Sequence, residues 1–393
     1  MFRASLALSL LLPTLAAQRT WIVDALSGPG THFTDLPPAV AAAAPGDLLL
    51  VRTGSYNGFS TSIGIHVVAI GACTIAPTVL GKNVVVTNLP AGQTFTLHGF
   101  DGWRRFPFFA DLVGNQGLVV LSQVRTLETC GCGPLHQNPP GIVVTDCAQV
   151  VLDGVVNYAQ PAVLSTRSRT LLTRCLLGSV TPTDPMGDCL YVDGGEVDVV
   201  ESVLDGNSGS DVNGVPQPAV RLLGGTLRVR GTTGALIQGG FVVNPSFPAP
   251  AIRATGGTLV LDPDVALNPS MGQTVALDLL GTQLILRQQA AALVRSPTAG
   301  GVLAADLIAQ PGAPCALLVG LPRPPLATSL GTLELDLTAT LPVAAGSAGA
   351  NAMLSASVPL PPALGLGQAL AFQGVADLGA GIELTSAAIA TVR

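Results

Sequence analysis

The chain has 393 residues, 48% of them hydrophobic and 11% charged, with 46 glycines and 31 prolines. That much apolar material supports a continuous core and argues against disorder, while the glycine and proline content describes a chain full of turns. The formal charge of −6 rests on few ionisable groups, Lys82 is the only lysine and no basic run occurs, so nucleic acid is not an expected partner.

Residues Met1 to Ala17 carry one cation at Arg3, an apolar stretch from Leu6 to Leu12 and small residues at Ala16 and Ala17. This is the pattern of a secretory signal over 1–17, with Leu15 at the minus-three position as its one departure. The expected destination is secreted, extracellular or cell-surface. Asp278 and Arg287 interrupt the best later apolar run, so no transmembrane anchor is expected.

Next, Trp21 to Asp24 reads as a strand, Phe33 to Ala44 as a short alanine-rich helix, and Pro45 to Tyr56 as a strand opened by a P-G-D turn. Further strands are predicted at His66 to Ile70, Asn83 to Thr87 and Thr94 to Phe100. Between Phe100 and Phe109, aromatic residues crowd around Trp103, Arg104 and Arg105. Aromatic faces stack on sugar rings and arginines bind carboxylates bidentately, so these three residues are the candidate substrate contacts.

Seven cysteines in an exported chain predict disulfides with one thiol left over. Local staples are expected among Cys130, Cys132 and Cys147 and between Cys175 and Cys189, although Cys130, Cys132, His136 and Cys147 also form a set of zinc-ligand type.

Five stretches then share one register, starting at Ile142, Val163, Leu190, Val220 and Ile252. Each holds a short alternating strand, a turn, and a second strand with an aliphatic nine residues from the start, at Val151, Leu172, Val199, Val229 and Leu261. Glycine pairs mark the turn in the last three: Gly194 and Gly195, Gly224 and Gly225, Gly256 and Gly257. Each unit reads as one coil of a solenoid with a variable loop that lengthens along the chain. Eleven residues from each start, the series Asp153, Arg174, Glu201 places an arginine between two carboxylates on neighbouring coils, and Asp198 stacks beside Arg228. Such rows are either surface ion-pair ladders or the acid/base groove of a lyase or hydrolase, whose catalytic candidates are then Asp153, Arg174 and Glu201. Eight carboxylates fall between Asp184 and Asp211. Asp205, Asp211 and Asn213 offer oxygen ligands in one loop, which makes calcium a candidate cofactor, although the spacing is not that of an EF-hand. From about Pro297 the register ends, and alternating segments separated by proline and glycine turns predict an antiparallel β-sandwich-like module over 297–393.

The strand, alanine-rich helix and P-G-D signature ending at Tyr56 resemble the N-terminal cap and first coil of the pectin-lyase-like superfamily. That resemblance extends over roughly residues 20 to 295. It implies an all-β chain: a right-handed parallel β-helix over 18–296 with an N-terminal cap helix, followed by the small C-terminal module. Of the family's pectate lyases only Arg174 flanked by acids is reminiscent, and the N-T-D, D-D, G-H-G and R-I-K motifs of its polygalacturonases are absent. The C-terminal segment, from Ala313 to Leu321 and again from Leu370 to Gly374, resembles a module of exported planctomycete-type proteins. The expected function is therefore non-catalytic contact with an extracellular polysaccharide or cell-surface component by a monomer. A calcium-assisted polysaccharide lyase or a glycoside hydrolase is the alternative.

Overall fold

The computed structural model describes residues 18–78, 81–102, 108–126, 140–159, 161–178, 188–206, 217–231, 235–239, 249–269, 275–294, 301–360, 368–379 and 381–392. It is an all-β chain with one N-terminal helix and a separate group of C-terminal sheets. No helix among the described residues is long and apolar enough to cross a membrane.

At the N-terminal end, Thr20–Val23 pairs in parallel with Leu48–Val51. The intervening helix Leu36–Ala42 is capped by Asp35, whose carboxylate accepts the Leu36 N–H at 2.8 Å, and prolines occupy its first turn. Seven residues are too few for an independent helix, so burial of Leu36, Ala39 and Val40 holds it in place. Asp47, from the P-G-D turn, fastens three segments together. Its carboxylate accepts the Arg19 N–H at 3.2 Å, the Trp21 indole N–H at 3.0 Å and the Ala44 N–H at 2.9 Å. Burial pushes this carboxyl up, but the hydrogen bonds from Ala44, Trp21 and Arg19 outweigh it and hold the group below the usual carboxylate range. Tyr56, which closes the signature, donates to the Arg52 carbonyl at 2.6 Å and accepts from the Ala25 N–H at 3.3 Å.

Beyond this end the chain builds three ladders of parallel strands. The first runs from Thr20–Val23 through Leu48–Val51, His66–Ala76, Thr94–Gly102, Leu118–Ser122, Gln149–Asp153, Thr226–Arg230 and Thr258–Leu261 to Gln283–Leu286. The second links Val84–Thr87, Ala110–Val113, Ile142–Thr145, Val220–Leu223, Ile252–Thr255 and Leu277–Leu280. Val163–Thr173 and Leu190–Val200 belong to both, running unbroken through the turn between them. The third consists of three-residue strands: Val156–Tyr158, Leu176–Gly178, Val203–Asp205, Leu236–Gln238 and Ala266–Asn268. Inward residues of all three, among them Val144, Leu152, Leu177, Val199, Leu222 and Ile237, form one apolar core. Each such side chain contributes about 1.5–3 kcal/mol on burial.

The predicted starts are in register: Ile142 opposes Val163, Val163 opposes Leu190, Leu190 opposes Val220, and Val220 opposes Ile252. The second half of the first unit is displaced by one residue. Leu152 rather than Val151 opposes Leu172, because the turn from Asp146 to Gln149 holds one residue more than the turn of the next unit. A one-residue slip exchanges faces in a strand, so Leu152 enters the core and Val151 faces outward.

One corner residue per rung makes the turn between the second and first ladders. Asn88, Gly114, Asp146, Arg167, Gly194, Gly224, Gly256 and Gly281 all have positive φ, between 46° and 73°. The second glycine of each pair is needed for a different reason. A Cβ on Gly225 would lie 2.5 Å from the Gly195 carbonyl oxygen, and one on Gly257 2.5 Å from that of Gly225.

The expected disulfides are not formed among the described residues. Cys73, Cys147, Cys175, Cys189 and Cys315 are all free and buried. Cys175 lies where the chain leaves the first ladder and Cys189 where it enters the second, so these two occupy different corners rather than stapling a loop. Their thiols donate inward, Cys175 to the Leu152 carbonyl at 3.3 Å and Cys189 to the Ala219 carbonyl at 3.0 Å. They behave as small apolar side chains with a weak donor. Burial pushes the Cys175 thiol up to about 12 and that of Cys73 up to about 11, away from the reactive thiolate. Cys130, Cys132 and His136 lie outside the described residues.

The C-terminal sheets are antiparallel. Ala291–Val294 pairs with Val302–Ile308, which pairs with Met353–Pro359. Pro314–Gly320 lies between Leu341–Ser347 and Ala369–Asp377. Leu303, Leu307, Leu317, Phe372 and Val392 form their core. A third apolar cluster joins this module to the outer face of the first ladder: Leu118, Val120, Val151, Leu171 and Val200 meet Leu333, Leu335, Ala371 and Ile389.

Candidate functional site

The acid–arginine row lies on that joined face. Asp153 is 2% exposed and forms an ion pair with Arg174. Thr173 Oγ1 donates to the same Asp153 oxygen at 3.0 Å, and Ser122 Oγ to the other at 3.3 Å. Arg174 also donates to the Val294 carbonyl of the module at 2.6 Å. The one-residue slip puts Asp153 opposite Thr173, so Arg174 and Glu201 are corner residues with φ of 51° and 46° rather than strand residues. Arg174 reaches Asp153 from the corner. Glu201 occupies the next corner, with its N–H donating to the Arg230 carbonyl at 3.2 Å.

Deeper under the module the charges are more tightly enclosed. The predicted neighbours Asp198 and Arg228 do oppose each other and form an ion pair at 3.6 Å. Asp198, 3% exposed, also faces Arg230 at 3.5 Å and accepts a hydrogen bond from Ser386. Burial pushes its carboxyl up, yet Arg230, Arg228, Ser386 and Arg169 together hold it below the usual range. Arg169 pairs with Glu196 on the next rung and donates to Glu334 of the module at 2.8 Å. Glu334, 2% exposed, further accepts from Gln149 Nε2 at 3.1 Å and the Ala387 N–H at 2.5 Å. Burial raises the Glu334 carboxyl against the opposing pull of Arg169. Asp198 and Glu334 each already have a guanidinium and further donors, and water has little access to them. The arrangement holds two sheets together through paired buried charges.

The acidic segment is dispersed by the coil. Asp188 pairs with Arg221 at 2.7 Å beside the second ladder, Glu196 and Asp198 face the module on the first, and Asp205 ends a strand of the third. Among the described residues no group of three or more histidines, cysteines, aspartates or glutamates could hold a metal ion. Asp205 is half-buried, with Oδ1 enclosed and without a hydrogen-bond partner, and burial raises its carboxyl. Asp211 and Asn213, its predicted calcium partners, lie outside the described residues, as do Trp103, Arg104 and Arg105.

Among the described residues, a hollow of about 290 Å³ lies between the helix and Phe59 to Ile63, and another of about 30 Å³ between Gln93 and Arg323. Neither is lined by Asp153, Arg174 or Glu201. The outer face of the second ladder carries an aligned row of Leu164, Tyr191, Arg221, Arg253 and Asp278, all at least partly exposed. Leu164, Tyr191, Arg221 and Arg253 each lie one residue after a predicted start, but they and Asp278 share no residue type that would mark the row in the sequence. The residues that cover the acid–arginine row, Glu334 and Ser386, were missed as well.

No family model matches the chain, and no curated protein matches it in sequence.

Proposed function

We propose that the chain is an exported, non-catalytic binding protein whose three ladders wind as a right-handed parallel β-helix, with the C-terminal β-sandwich-like module fixed to one flank. A right-handed sense is what parallel strands joined by crossovers adopt almost without exception. The pectin-lyase-like kinship is part of this proposal, supported by the roles of Asp47 and Tyr56 at the first rungs. The observation that carries the non-catalytic reading is the enclosure of Asp153 and Asp198 beneath the module, each already ion-paired. A carboxylate that must exchange protons with a bound sugar needs reach to it, and these face protein.

The ligand class is an extracellular polysaccharide or a related cell-surface component, with the open row of Tyr191, Arg221 and Arg253 as contact surface. Tyrosine offers a stacking face, and arginines at successive rungs, about 4.8 Å apart, suit carboxylated sugars through the donors left over from their pairs with Asp188 and Asp278. The test is incubation with uronate-containing and neutral polysaccharides, with and without calcium. Retention of polysaccharide, unsaturated-product absorbance and reducing ends are followed together. Binding without product is expected, and Arg253→Ala and Trp103→Ala should each weaken it. Calcium-dependent absorbance establishes a lyase instead, and reducing ends without absorbance a hydrolase.

A further inference from the structure

The two ends of the ladders are finished differently. At the N-terminal end, Leu36, Ala39 and Val40 of the helix are buried against the first rungs. At the other end, Ala266–Asn268, Leu277–Leu280 and Gln283–Leu286 each pair with a preceding strand and with no following one among the described residues. Among the described residues the last inward leucines are left exposed there. Leu227 and Leu259 are 0% exposed, whereas Leu284, next in the same column, is 36% exposed. In the neighbouring column Val229 is 1% and Leu261 4% exposed, but Leu286 is 62% exposed. Leu277 and Leu279, the inward residues of the second ladder's last strand, are packed against this core and only partly buried.

We propose that two copies of this chain associate end to end through this last rung as a closed twofold dimer. All three ladders stop together, leaving three strand edges around an apolar centre. One added strand would satisfy one edge and leave the centre wet. An end of the same cross-section covers the three edges and the centre at once. The helix closes the opposite end, so head-to-tail stacking into a filament is blocked and the isologous pair remains. A twofold axis runs the facing strands antiparallel, the more stable pairing. Charge does not oppose it, because Asp278 is paired with Arg253 at 2.9 Å and Arg287 with Glu383 at 2.8 Å within the chain.

This inference is independent of the ligand and replaces the monomer expected from the sequence. Light scattering coupled to size exclusion, from submicromolar to high micromolar protein, should give twice the chain mass. The double variant Leu284→Lys with Leu286→Lys should be monomeric while keeping its far-ultraviolet dichroism, since both side chains are already exposed. Leu286→Lys alone provides the same readout should the double variant misfold. Leu26→Lys, 84% exposed near the other end, should remain dimeric. A monomeric wild type overturns the proposal, including one that instead captures an added extended peptide. Dissociation by Leu26→Lys but not by the C-terminal variants overturns it too.

Discussion

The outer faces of the first and second ladders carry similar rows of charge and differ in what lies over them. On the first, Asp198 and Glu334 are 3% and 2% exposed and are held by Arg169, Arg228 and Arg230. On the second, the Arg253 and Asp278 side chains retain 40% and 54% of their exposure. The same alternation of strand residues therefore gives an adhesive seam where a module excludes water and a solvated surface where none does. The strength of an ion pair depends on its surroundings far more than on its distance.

The contrast is broken most severely by Glu334→Ala, which leaves Arg169 enclosed without its module partner. A loss of about 3–5 kcal/mol is expected by denaturant unfolding. The pair Arg169→Met with Glu334→Leu should recover most of it, because two apolar side chains leave no charge unpaired. Gly225→Ala strains the turn that joins the two faces, since it combines a φ of +74° with a Cβ 2.5 Å from the Gly195 oxygen. At least about 1–2 kcal/mol should be lost from the left-handed conformation alone. Acid sharpens the comparison next. Burial lowers His66 from 6.5 to about 4, so its contribution is complete above pH 6.5 and is lost as the pH falls through about 4. Asp198, also lowered, contributes above its usual 3.8 and loses that contribution below it. Melting temperature should fall in that order on acidification, and His66→Gln should flatten the first part of the curve. Arg253→Ala, on the open face, should change stability by no more than about 1 kcal/mol.

The starts were legible because two alternating strands around a short turn, marked by a glycine pair in the last three units, leave a pattern that survives loops of unequal length. The third ladder was not. Its strands have three residues and one inward side chain each, such as Leu177, Leu204 or Ile237, too few for alternation to register. The extra turn residue before Gln149 was hidden because Val151 and Leu152 are both aliphatic, so either assignment gives a plausible inward column. At the site, sequence correctly joined Asp153 with Arg174 and Asp198 with Arg228. Their cover was beyond its reach: Glu334 meets Arg169 across 165 residues and Ser386 meets Asp198 across 188. The thiols illustrate the converse. Cysteine count and an export signal predict bridges, but Cys147, Cys175 and Cys189 are core residues at separate positions of the coil.

Stacked repeats ordinarily lose their end units one at a time, because each touches only its neighbours. Here Leu118, Val151, Leu171 and Val200, from four successive rungs, all bear on the same module, and Arg230 of the next rung donates to its Ala290 carbonyl at 2.5 Å. The module acts as a splint across the stack. Those rungs should therefore melt as one cooperative unit, with exchange of their amide hydrogens governed by a single opening event.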